Sequence, residues 1–152
     1  MKNKLVVKKK FNLKKKVKSF EDIIVKVGFP KESSETKSTD SEGVSAVFKA
    51  TSNNFGLGIP KRPFMNIAFE KNKRDYRKII IKSFKKIESL DMVKFSNKLG
   101  IKAQGDVQKE IIALRSPANS EATIKAKKSS NPLINSGHML QSVTYQVIDK
   151  GK

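Results

Sequence analysis

The chain has 152 residues and a formal net charge of +19, from 33 Lys and Arg against 14 Asp and Glu, a length that suits one hydrophobic core. It has no cysteine and one histidine, His138, which excludes disulfides, thiolate metal sites, a cysteine nucleophile and a multi-histidine metal site. Hydrophobic residues at 37% are too many for a fully disordered chain. No apolar run approaches the roughly 18–20 residues of a membrane helix, and Met1 to Lys18 lacks the h-region of a signal peptide.

The charge is uneven. Met1 to Lys18 carries nine lysines and no acid, whereas Lys31 to Glu42 holds four acids and two lysines. Arginines are few: Arg62, Arg74, Arg77 and Arg115. Lysine is the usual solvated surface residue, while arginine is preferred for bidentate phosphate contacts. The lysine excess therefore fits compositional bias as well as it fits a nucleic-acid partner.

In chain order, Lys4 to Lys9 encloses Leu5, Val6 and Val7 and predicts a short strand. Phe11, Leu13 and Val17 predict a short helix with a lysine-rich outer face. Ile23, Val25 and Val27 predict a strand that stops at Gly28 and Pro30. Residues 31–42 contain no apolar residue and predict an exposed, mobile loop. Alternation resumes over Val44 to Ala50, with Val44, Ala46 and Phe48 on one face, and predicts a second strand. The two strands and their loop would form a projecting hairpin.

Residues 53–63 are dense in turn formers, and Pro63 suits the first turn of a helix. Phe64, Ile67, Ala68 and Phe69 follow at helical spacing. Tyr76, Ile80, Phe84, Ile87 and Leu90 then form a stripe that predicts a long helix with its apolar face in the core. Gly100 is expected to end this region. Gly105 or Asp106 would cap a shorter helix bearing Val107, Ile111 and Leu114, stopped at Ser116-Pro117. Ser120 can cap one short turn, Leu133 and Ile134 anchor a long polar loop, and Ser136-Gly137 opens another turn. Val143, Tyr145 and Val147 predict a closing strand. The expected architecture is one α+β domain over 1–152, with a basic N-terminal segment (1–20) and a polar loop (31–42). A small, mostly antiparallel sheet would pack against one long and one shorter helix, with a long mobile hairpin loop.

Catalytic chemistry is poorly supplied. No glycine precedes the Lys-Ser/Thr pair of a phosphate-binding loop, and Gly56 and Gly58 lack the third glycine of a dinucleotide loop. His138 stands near Ser136 and Ser142, but no orienting acid or oxyanion hole is signalled. Glu21 with Asp22, and Glu88 with Asp91, read as solvated acids beside lysines. No enzyme activity, cofactor or metal is expected.

Two stretches are more specific. The first is Asn54-Phe55-Gly56, then Ile59-Pro60-Lys61-Arg62-Pro63-Phe64. The second is Ser116-Pro117-Ala118-Asn119-Ser120, Thr123-Ile124, then Lys127 through Pro132-Leu133-Ile134-Asn135-Ser136-Gly137, continuing into Leu140, Ser142-Val143 and Tyr145-Gln146-Val147. In order and spacing, over about Val25 to Val147, they resemble the tailed-phage virion-morphogenesis family, the neck and tail-completion proteins similar to the Mu G protein. That family's pattern runs E-F-G, I-P-x-R-P-F, P-N-S-x-x-T-I, K-G-S-x-P-L-I-D-T-G and S-I-x-Y-x-V. Here Asn54 replaces Glu and Asn135-Ser136 replaces Asp-Thr, each keeping turn or capping chemistry.

The resemblance implies a structural virion protein of the head–tail junction, assembled in the host cytoplasm. It would form a homo-oligomeric ring of roughly six or twelve copies, joining tail to capsid around a DNA channel. Other neck, connector or tail proteins would be its partners, with weak contact to genomic DNA and no membrane. Phe55, Gly56, Ile59, Pro60, Arg62, Pro63, Phe64, Asn119, Pro132, Leu133, Gly137 and Ser142 are its signature or interaction residues. Arg62 can serve as a local tie to backbone carbonyls or as a subunit contact. Lys8, Lys9, Lys10, Lys14, Lys15 and Lys16 would face the channel or a partner. A tail-terminator or head-closure protein is the alternative within virion assembly. A basic nucleic-acid-binding protein is the alternative from another class.

Overall fold

The structure, a computed structural model, describes residues 12–30 and 43–151. The strand expected at Lys4 to Lys9, Lys8, Lys9, Lys10 and the polar loop 31–42 lie outside the described residues.

Helix α1, Leu13–Glu21, starts where the Asn12 side chain accepts from the Lys15 amide, and leads directly into strand β1, Ile23–Gly28. Its Phe20 ring stacks on Phe84 at 4.3 Å between centroids and tilts against Phe95. Strand β1 pairs antiparallel with β2, Thr144–Asp149, in the register Ile23↔Asp149, Val25↔Val147 and Val27↔Tyr145. The α+β architecture with a small antiparallel sheet is as the sequence predicts.

The partner of β1 is not the segment after the polar loop, however. Residues expected there as a strand form helix α2, Ala46–Phe55. The Ser45 side chain accepts from the Phe48 amide at one end, and Gly56 closes the other with φ 79°. Such caps satisfy end groups that a helix leaves open. Buried Ala46, Ala50 and Asn54 recur every four residues, so helical burial overrides the short apparent alternation. The expected hairpin therefore does not form between these segments.

Two long helices carry the scaffold, where one long and one shorter were expected. Helix α3 spans Phe64–Phe84 and α4 spans Met92–Ala113, the latter capped by the Asp91 carboxylate on the Lys94 amide. Gly100 does not stop α4. An interior glycine costs a helix only about 1 kcal/mol, and here the Tyr145 ring of β2 lies across it. A Cβ at Gly100 would come within 2.2 Å of that ring. The Tyr145 hydroxyl donates to Asn97 Oδ1 one turn away (3.1 Å).

The core gathers Phe64, Ala68, Val107, Ile111, Leu114, Leu133, Met139 and Val143, with Ala50 from α2. The stripe on α3 is not its centre, contrary to expectation. Ile87 and Leu90 lie beyond the helix end, Tyr76 and Ile80 line a groove, and Phe84 meets Phe20. Phe64 and Ala68 are the buried positions of α3. Polar ties complete the α3–α4 contact: Lys71 pairs with Glu110 at 2.7 Å, and the Tyr76 hydroxyl donates to Asp106 at 2.9 Å. Burial and that hydrogen bond push the Tyr76 phenol well above its ordinary range. Short helices α5, Glu121–Lys127, and α6, His138–Gln141, occupy the return from α4 to β2.

Candidate functional site

The two distinctive sequence stretches meet at one corner, and Arg62 joins them. The left-handed turn at Gly56 and the following Ile59-Pro60 loop bring the chain back to α2, where the Arg62 amide donates to the Asn53 carbonyl. The Arg62 side chain then points inward and the residue is only 3% exposed. Its Nε donates to the Pro117 carbonyl (2.7 Å), Nη1 to Asn53 Oδ1 (3.0 Å), and Nη2 to the Ala118 carbonyl (3.1 Å) and Asn119 Oδ1 (3.0 Å). Three of these acceptors lie 55 to 57 residues away in sequence. None is a carboxylate. Burial lowers the Arg62 pKa from its ordinary value, yet four of its five N–H groups are bonded, which holds the charge in place.

Around this tie the other signature residues have structural places. Phe55 ends α2 with its ring exposed, and Pro63 stands at the start of α3, directly before buried Phe64. The Asn54 side chain accepts from the Met65 amide (3.3 Å), so the segment before the turn is fixed to the first turn of α3. Asn119 helps hold Arg62, while Pro132 and Leu133 are buried. Gly137 adopts φ 79° before α6, and the Ser142 hydroxyl donates to the His138 carbonyl at 2.8 Å. Lys14 and Lys15 lie exposed on α1, far from this corner in sequence.

Some contributors were not singled out by the sequence reading. Asn131 donates to the Ile112 carbonyl (3.0 Å) and accepts from the Leu133 amide (2.9 Å), pinning the long return to the end of α4. Lys127 reaches the carbonyls of Asn131 and Pro132, both at 3.2 Å. Asn53 receives Arg62. A buried amide side chain has no periodic signature; only its place inside a turn-rich stretch hinted at these roles. Lys128 takes a left-handed conformation, φ 52°, the one non-glycine residue to do so among the described residues.

The corner encloses a groove of about 630 Å³ lined by Lys49, Asn53, Ile59, Pro60, Arg62, Asn119, Lys127, Pro132, Gly137 and His138, among others. Its described lining contains no carboxylate, and no described group of three or more His, Cys, Asp and Glu could hold a metal. Beside it, Phe48, Phe55, Leu57 and Ile59 are 64%, 63%, 58% and 40% exposed. What this arrangement can do is present a stiff, apolar-edged, basic surface. Among the described residues no helix is long and apolar enough to cross a membrane. The chain matches no family model, no curated protein and no solved structure.

Proposed function

We propose that the chain is a structural, non-enzymatic protein of a tailed-phage head–tail junction, acting by closing into a ring that joins tail to capsid around a DNA channel. The observation that carries this reading is the Arg62 corner. The stretches that resemble the neck and tail-completion proteins converge there and are bonded to one another. The exposed apolar side chains of α2 and the following loop supply the kind of patch that subunit contacts bury. Heterologous contacts repeated about one axis turn such a patch into a ring.

Deletion of the gene in the phage that encodes it is the test, read by negative-stain micrographs of the lysate. Filled heads beside unattached tails are the expected result. Normally joined particles overturn the reading. A nucleic-acid-binding role is favoured by one observation, the solvent face of α3 with exposed Arg74, Arg77 and Lys82, followed past the helix end by exposed Lys85 and Lys86. It predicts joined particles with a defect in replication or expression, and salt-dependent DNA binding by the purified protein.

A further inference from the structure

The Arg62 corner leaves hydrogen-bond donors open beside its groove. Nε and Nη2 of Arg62 are fully engaged, but Nη1 gives only one of its two N–H groups, to Asn53. The Asn119 side chain turns its oxygen to Arg62, and its Nδ2 amide is buried without a partner. A buried donor left unbonded is unfavourable, and both residues line the groove, where a ligand could supply the acceptor. The charge is open as well. All four acceptors of the guanidinium are neutral, and among the described residues Arg62 forms no ion pair. Lys49 and Lys127 on the walls add positive charge, and the described lining holds no carboxylate.

We propose that the groove is a binding site for a single carboxylate, carried on an aspartate or glutamate side chain. The carboxylate accepts from the open N–H of Arg62 and from the Asn119 amide, and its negative charge balances the guanidinium. Exposed Ile59 and Pro60 in the lining offer apolar surface to the methylene stem of such a side chain. A phosphate fits less well. Phosphate sites gather backbone N–H groups, whereas the backbone atoms that face the Arg62 side chain are the carbonyls of Pro117 and Ala118. Two sources can offer the carboxylate: another protein chain, or the acids Glu32, Glu35, Asp40 and Glu42 of this one, which lie outside the described residues. The inference stands on the geometry of the corner and not on the phage reading.

The test uses two full-length, isotope-labelled chains: wild type, and one neutralised by Glu32→Gln, Glu35→Gln, Asp40→Asn and Glu42→Gln. Each is titrated with the acetylated and amidated tripeptide Ala-Glu-Ala, following the side-chain signals of Arg62 Nε and Asn119 Nδ2. Saturable shifts of both signals are expected, with Ala-Gln-Ala and inorganic phosphate about tenfold weaker or worse. Equal binding by the two chains assigns the carboxylate to another molecule. Binding about tenfold tighter in the neutralised chain, or seen there alone, assigns it to this one. Asn119→Asp keeps an oxygen for Arg62 and puts a carboxylate where the amide stood. Introduced into whichever chain binds, it should leave the spectrum folded and abolish binding of the peptide. Equal binding of Ala-Gln-Ala or of phosphate overturns the proposal. So does unchanged binding by Asn119→Asp, or no binding by either chain.

Discussion

At the Arg62 corner one guanidinium and four hydrogen bonds hold segments with little regular structure, whereas the sheet meets α4 through a glycine and an aromatic ring. The first region depends on saturating a buried charge with neutral acceptors. The second depends on shape. Their sensitivities differ accordingly: the corner tolerates no loss of donors, and the sheet contact tolerates no added volume.

Arg62→Met should have the largest effect. It strands two carbonyls and two side-chain oxygens, at a cost on the order of 4 kcal/mol in urea unfolding. Arg62→Lys should recover only part of this, because an ammonium cannot reproduce the planar fork. Gly100→Ala should cost about 2 kcal/mol by displacing Tyr145, despite alanine's better helix propensity. Gly105→Ala in the same helix is the control. Nothing lies within 4 Å of a Cβ there, so it should stabilise by about 0.5–1 kcal/mol. If both glycine variants destabilised equally, Tyr145 would not be the reason for Gly100.

Lys128→Gly should stabilise the return after α5 by about 0.5 kcal/mol, because glycine adopts the left-handed conformation without a steric penalty. The smallest effect concerns Asp91. Its carboxyl is held below the ordinary 3.8, first by the hydrogen bond from the Lys94 backbone amide, which outweighs the opposing desolvation, with the Lys94 charge a lesser contribution. A depressed folded pKa contributes stability that is present above the unfolded value and lost as pH falls through the folded one. Wild type and Asp91→Asn should therefore differ in thermal midpoint at neutral pH and converge at acid pH.

The sequence made the two regions legible to different degrees. Strand β1, the closing strand, the helix after Pro63 and the Ser120 cap followed from periodicity and turn chemistry, because each is a local signal. Helix α2 did not, since the seven residues from Val44 to Ala50 alternate well enough to imitate a strand while burial follows a period near four. The length of α4 was hidden by Gly100 and Gly105. One of these glycines reflects a neighbour more than 40 residues away, which no local pattern can contain. At the candidate site, the signature residues were recognisable, but the network of Asn53, Asn131 and Lys127 was not. Amide and ammonium donors bonded to backbone carbonyls leave no trace in hydropathy.

The exposed rings and aliphatic side chains along α2 have a consequence for handling the protein in solution. At low ionic strength a net charge of +19 keeps copies apart, and those side chains stay solvated. Raising salt shortens the Debye length from roughly 30 Å at 0.01 M to about 10 Å at 0.1 M, which removes the repulsion and leaves the apolar attraction. Ionic strength would then act as a throttle on self-association, with dispersed copies in dilute buffer and gathered ones in concentrated buffer.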